Sequence, residues 1–101
     1  MKSTLLLLFT TLLLSSCLTT NFVKNVSYNG VITRIFDDEN NHLVTSFEIS
    51  TKNGIIVDVA DYYPRSWEFA SVGDSISKIK GELSITIKKE KGEIEVFRYD
   101  N

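Results

Sequence analysis

In 101 residues the chain has one cysteine, one histidine, one proline and five glycines. Each scarcity removes a class of chemistry. A lone cysteine closes no intrachain disulfide, and with a lone His42 it cannot supply the three or four N, S or O ligands of a zinc site without carboxylates. For nucleophilic catalysis His42 would need a hydroxyl beside it and a buried carboxylate behind it. Asp37 and Asp38 are its near neighbours, but they share a polar turn where a base is poorly tuned. No catalytic residue, metal or cofactor is therefore expected, and a small hydrolase is a remote alternative. The glycines stand singly, which excludes a glycine-rich phosphate loop. Eleven basic against thirteen acidic side chains leave a formal charge of −2, with no basic footprint for nucleic acid. Long apolar runs are absent too. The longest region, Leu5 to Leu14, covers ten residues broken by Thr10 and Thr11, whereas a helix crossing a bilayer needs roughly 20.

What is there begins with that short run. One lysine (Lys2), the apolar stretch and the small residues Ser15 and Ser16 have the layout of a cleaved secretory signal. The next residue is the cysteine. Leu14-Ser15-Ser16-Cys17 resembles a bacterial lipobox, a leucine and two small residues before an invariant cysteine. The resemblance implies cleavage between Ser16 and Cys17, diacylglycerol on the Cys17 thiol and acylation, such as palmitate, of the new amino terminus. Two or more chains hold a protein firmly, at about 0.8 kcal/mol per buried CH₂, where one holds it marginally. An ordinary signal peptide with a free cysteine is the competing reading. A eukaryotic secreted protein with Asn25-Val26-Ser27 as a glycosylation acceptor is a weaker one. Loss of residues 1–16 leaves 85 residues at a formal −3, so the acyl chains rather than a polybasic patch are expected to hold the membrane. Leu18 is not the aspartate that resembles an inner-membrane retention signal, and no acid precedes Asp37. Both features point, by resemblance, to the periplasmic face of the outer membrane.

The expected organisation is a signal peptide over 1–16, a lipidated terminus and tether over 17–27, and a small β domain over 28–101. A domain of this size buries a little over 60% of its unfolded surface, enough to fold without staples. Tyr28 to Phe36 alternates Val31, Thr33 and Ile35 against Ile32, Arg34 and Phe36. The polar "DDENN" ends it as a hairpin loop. "HLVTSFEIST" follows, with Leu43, Thr45, Phe47 and Ile49 on one face, and Asn53-Gly54 separates it from "IIVDVA" as a type I′ hairpin signal. "ELSITIKK" and "EIEVFRY", joined through Lys91-Gly92, form a second hairpin. Between the two units a connection carries a helical turn near Arg65 to Ala70 and a Gly73-Asp74 turn. A meander, a connection and a hairpin make five strands. That order predicts an all-β, five-stranded OB-like barrel, with an SH3-like barrel as the alternative.

Val72 to Lys89, with its Gly-Asp-Ser turn, following lysine and glycine, and alternating strand, also resembles small uncharacterised lipoproteins of Bacteroidota. That resemblance implies a compact β domain on a lipid tether and assigns no activity. Two other patterns draw attention. Asp37, Glu39, Asn41 and Glu48 fall at positions 1, 3, 5 and 12 of a twelve-residue window, as in an EF-hand loop. However, His42 occupies the glycine position and the strand after it carries Glu48 away. Glu93 and Glu95 share a strand face and read as its solvent side rather than as a glycosidase pair. The connection "DYYPRSWEF" offers the candidate binding surface: Tyr62, Tyr63, Arg65 and Trp67 are residue types enriched at hot spots. The competing reading has its aromatics plugging the core. The expected role is a non-catalytic, membrane-anchored module that binds an envelope protein. The alternative is a structural lipoprotein without a specific ligand.

Overall fold

A computed structural model describes residues 20–100. Six strands, β1 (Tyr28–Asp38), β2 (Val44–Thr51), β3 (Gly54–Val59), β4 (Ser75–Lys78), β5 (Ser84–Lys88) and β6 (Ile94–Arg98), form one antiparallel sheet in the order β3-β2-β1-β4-β5-β6. Two three-stranded meanders meet where β1 pairs with β4. The all-β expectation holds, but the five-stranded barrel does not form, in either its OB-like or its SH3-like version. β3 and β6 are the edges of an open sheet, and no ladder joins them among the described residues. The segments just past them meet where the Asp100 N–H donates to the Tyr62 carbonyl at 2.9 Å.

The sixth strand is β4. Its inward residues are Ile76 and Lys78, and a lysine at an inward position hides a four-residue strand inside polar sequence. The turn expected at Gly73-Asp74 is present, with Gly73 at φ 99° and the Asp74 N–H bonded to the Ser71 carbonyl. This turn extends the ladder beyond β4. Ile32 donates its N–H to the Asp74 carbonyl at 2.9 Å and accepts the Gly73 N–H at 2.8 Å. Immediately afterwards β1 bulges. Ile32 faces Ile49 on β2, but Arg34 faces Glu48 and Ile35 faces Phe47, so Thr33 is the extra residue. The bulge resets the phase. Ile32 and Ile35 both turn to the core, where strict alternation puts them on opposite faces.

That core is formed mainly by Ile32, Phe47, Ile49, Ile76, Ile85 and Ile87, all fully buried, each contributing roughly 1.5 to 3 kcal/mol. Gly30 sits where β1 passes close over β2, and a Cβ built there would lie 2.3 Å from the Ser50 carbonyl oxygen. The β2–β3 turn departs from type I′. Both of its central residues would need positive φ, yet Lys52 and Asn53 lack it and Gly54, the first residue of β3, has φ 129°. Leu43, which alternation groups with Phe47 and Ile49, stands exposed before β2 with positive φ, like His42.

The segment read as a tether is folded from Thr20 onward. Residues 20–25 are helical, and Val23 is 2% exposed within the core cluster. Cys17 itself lies outside the described residues. Among those described, no helix is long and apolar enough to cross a membrane.

Candidate functional site

The aromatic connection leaves β3 through a single 3-10 turn, Ala60–Tyr62, and reaches a one-turn helix, Ser66–Phe69. The buried Ala60 carbonyl organises both, accepting the Tyr63 N–H at 2.9 Å and the Ser66 hydroxyl at 3.3 Å. Arg65 precedes the helix with φ 71°. This folding divides the four candidate residues. Tyr63 turns inward and is 1% exposed. Tyr62 is half-buried, edge-on to the Tyr99 ring at 5.6 Å, and Trp67 is half-buried against the core. Arg65 points outward, its side chain 84% exposed and 3.7 Å from the Glu68 carboxylate. A shallow depression of about 440 Å³ lies beside it, between Pro64, Glu68 and Phe69 of the connection and Glu95 to Phe97 on edge strand β6.

A second constellation lies inside the sheet, at the start of β1. Tyr28 donates its hydroxyl to Asp58 of β3. Lys78 of β4, opposite Tyr28 in the register, is buried and donates its ammonium to the carbonyls of Val26 at 3.0 Å and Glu82 at 2.6 Å. Burial pushes the Asp58 carboxyl above its ordinary range, against the opposing pull of the Tyr28 hydroxyl, the Val59 N–H and Lys78. It also pushes Lys78 below its ordinary value, an effect that nearby Asp58 and Glu82 oppose. The Tyr28 and Tyr63 hydroxyls are pushed up, first by burial and then by the Asp58 charge. A depression of about 460 Å³ opens beside Tyr28, lined by Ser27, Asn29, Thr51, Lys52, Asn53 and Ile56. The cluster could pass as acid–base chemistry, but its groups are already bonded to one another and to the backbone. Its geometry ties three strands and the N-terminal segment together.

Sequence reasoning missed this cluster. Its members are 30 and 50 residues apart along the chain, and the available signal was a charged residue in the inward phase of a strand, at Asp58 and Lys78. The Gly-Asp-Ser motif belongs to the same framework. Asp74 is buried and its carboxylate accepts the Ser71 N–H and the Lys89 ammonium, both at 2.8 Å.

The acidic window does not assemble a cage. Glu48 is held on β2 by Arg34 at 3.2 Å and by the Thr33 hydroxyl at 3.0 Å, while Asp37 accepts the Thr45 hydroxyl. Among the described residues no group of three or more His, Cys, Asp or Glu side chains could hold a metal ion. The outer faces of the edge strands show apolar pairs instead, Ile55 with Val57 on β3 and Ile94 with Val96 on β6, all largely exposed.

Compared with known proteins, the chain matches no family model, no curated protein and no solved structure.

Proposed function

We propose that this is a bacterial lipoprotein in which a non-catalytic β module, held by lipid on Cys17, binds a protein partner in the cell envelope at the periplasmic face of the outer membrane. The observation that carries the reading is the sole cysteine, placed directly behind Leu14-Ser15-Ser16 and three residues ahead of the first described residue, Thr20. A partner-binding face is supported at the connection, where exposed Arg65 and half-buried Tyr62 and Trp67 border the edge strand β6. Tyr63 supports that surface from beneath. Edge strands with exposed apolar residues are natural sites for added protein contact. The second reading, a structural envelope lipoprotein without a specific ligand, is favoured by the bonded state of the interior polar cluster, which leaves no prepared chemistry.

A pull-down from detergent-solubilised envelope separates the two. The partner reading expects a discrete protein with wild type that is lost with Arg65→Glu and with Tyr62→Ala/Trp67→Ala, at unchanged circular dichroism for Arg65→Glu. Equal and empty recoveries from all three overturn it. Intact mass after membrane purification tests the anchor: the expected species starts at Cys17 and carries acyl chains, and an unmodified thiol contradicts it.

A further inference from the structure

The lipid on Cys17, if it is the anchor just proposed, is attached within a short reach of folded chain. Only six residue steps separate Cys17 from buried Val23, which at ~3.6 Å per residue is a reach of at most ~22 Å even when fully extended. The helical residues 20–25 are in turn fixed to one end of the sheet. The Gly81 N–H donates to the Lys24 carbonyl at 2.7 Å, and buried Lys78 binds the carbonyls of Val26 and Glu82 at once. The 79–82 turn is closed by the Glu82 N–H on the Ile79 carbonyl. An anchor here therefore fixes which end of the domain meets the bilayer.

That end has the composition of a lipid-facing surface. Phe22 is 64% exposed and Ile79 63% exposed, on segments joined by the Gly81–Lys24 bond. Lys24 and Lys80 are exposed beside them. Lys52 lies at the same end, because Gly30 of β1 pairs with Thr51 while Tyr28 pairs with Lys78. Glu82 in the turn and Asp100, just past the Arg98 that pairs with Ser84, are exposed acids at this end, against exposed Lys24, Lys52, Lys80 and Arg98. The opposite end of β1 carries Asp37 and Asp38, with Glu39 just beyond, and Asp38 is ten steps from Tyr28 or at most about 33 Å at 3.3 Å each. An exposed apolar pair with an excess of basic side chains at the anchored end, and acids at the far end of β1, matches an anionic bilayer interface in both polarity and charge. Although the whole chain is acidic, its charge is unevenly distributed.

We propose that the domain lies directly on its membrane, with Phe22 and Ile79 entering the headgroup layer of an anionic bilayer and Lys24, Lys52 and Lys80 facing lipid phosphates. This rests on lipidation of Cys17. In this pose the Glu39 to Leu43 loop points away from the bilayer.

The test uses the full lipidated protein reconstituted into phosphatidylethanolamine and phosphatidylglycerol vesicles. Because acylation occupies the only native thiol, single variants Phe22→Cys, Ile79→Cys, Leu43→Cys and Val57→Cys each accept one environment-sensitive fluorophore. All four positions are exposed in the fold, so labelling does not depend on opening the core. Nitroxide-labelled lipid should quench positions 22 and 79 about threefold or more above positions 43 and 57, as expected for side chains inserted at an interface. Quenching no greater at 22 and 79 than at the other two, with acylated Cys17 confirmed by mass, overturns the pose and leaves the anchor standing. A protein recovered with an unmodified Cys17 overturns both.

Discussion

The ammonium of Lys78 lies 3.0 Å from the carbonyl oxygen of Val26, 52 residues earlier in the chain, and this contact joins the N-terminal segment to the strand that links the two meanders. Lys78→Met would keep most of the apolar stem but leave the Val26 and Glu82 carbonyls without their shared donor. The expected cost is about 1 to 3 kcal/mol of unfolding free energy, the penalty for stranding buried acceptors. Urea unfolding of the variant against wild type measures it. Backbone hydrogen exchange at Gly81 should rise in the same variant, since its N–H is held by the segment that Lys78 pins.

Asp58 provides the pH signature. Its carboxyl is raised by burial, so between the ordinary carboxylate range and its elevated folded value the native state binds more protons than the unfolded chain. Stability from this group is fully present below the unfolded value and is lost as pH rises through the folded one. Asp58→Asn abolishes this dependence. The stability difference between wild type and Asp58→Asn should therefore shift in favour of the variant on going from acidic toward neutral pH, read from chemical unfolding at several pH values. A difference that stays flat would contradict the assignment. Tyr28→Phe, which removes a donor to that carboxyl, should cost about 1 to 3 kcal/mol at neutral pH.

Gly30→Ala tests the close passage of β1 over β2. The added methyl would lie 2.3 Å from a backbone oxygen and 2.8 Å from the Ile49 side chain, so the strands must separate. A loss of about 1 to 3 kcal/mol is expected, visible as a lower thermal midpoint. Gly54→Ala meets no atom but needs positive φ, and should cost about 1 kcal/mol.

The Arg34–Glu48 and Lys89–Asp74 ion pairs should respond unequally. Glu48→Gln weakens an exposed pair with Arg34 and should change stability by less than about 1 kcal/mol. Asp74→Ala removes a buried carboxylate that holds both Lys89 and the Ser71 N–H beside the β1 bulge, and should cost about 2 to 4 kcal/mol. Equal effects in parallel denaturation curves would contradict the burial of Asp74.

Much of the sheet was legible because period-two alternation is a local signal. β2 reads directly from Phe47 and Ile49, and β5 from Ile85 and Ile87. The pattern failed where a distant group decides the local structure. Thr33 bulges where the Gly73-Asp74 turn meets Ile32, so Ile35 rotates inward on information forty residues downstream. β4 was hidden because Lys78 looks like a solvent residue until the Val26 and Glu82 carbonyls receive it. Residues 20–25 lack a broad apolar stripe, and they are fixed to the fold by buried Val23 together with the distant Gly81 N–H on the Lys24 carbonyl. At the candidate surface, composition identified the aromatics but could not distribute them. Tyr63 faces the core and Arg65 the solvent because the Ala60 carbonyl bends the chain between them.

Cys17 carries the central claim, and metabolic labelling with an alkyne fatty acid tests it most directly. Cells expressing wild type and Cys17→Ala are grown with the analogue, and the protein is purified and coupled to a fluorophore. The expected result is label on the wild-type chain in the membrane fraction and none on Cys17→Ala. Label surviving the substitution, or an unlabelled wild-type chain, would contradict lipid anchoring at this cysteine.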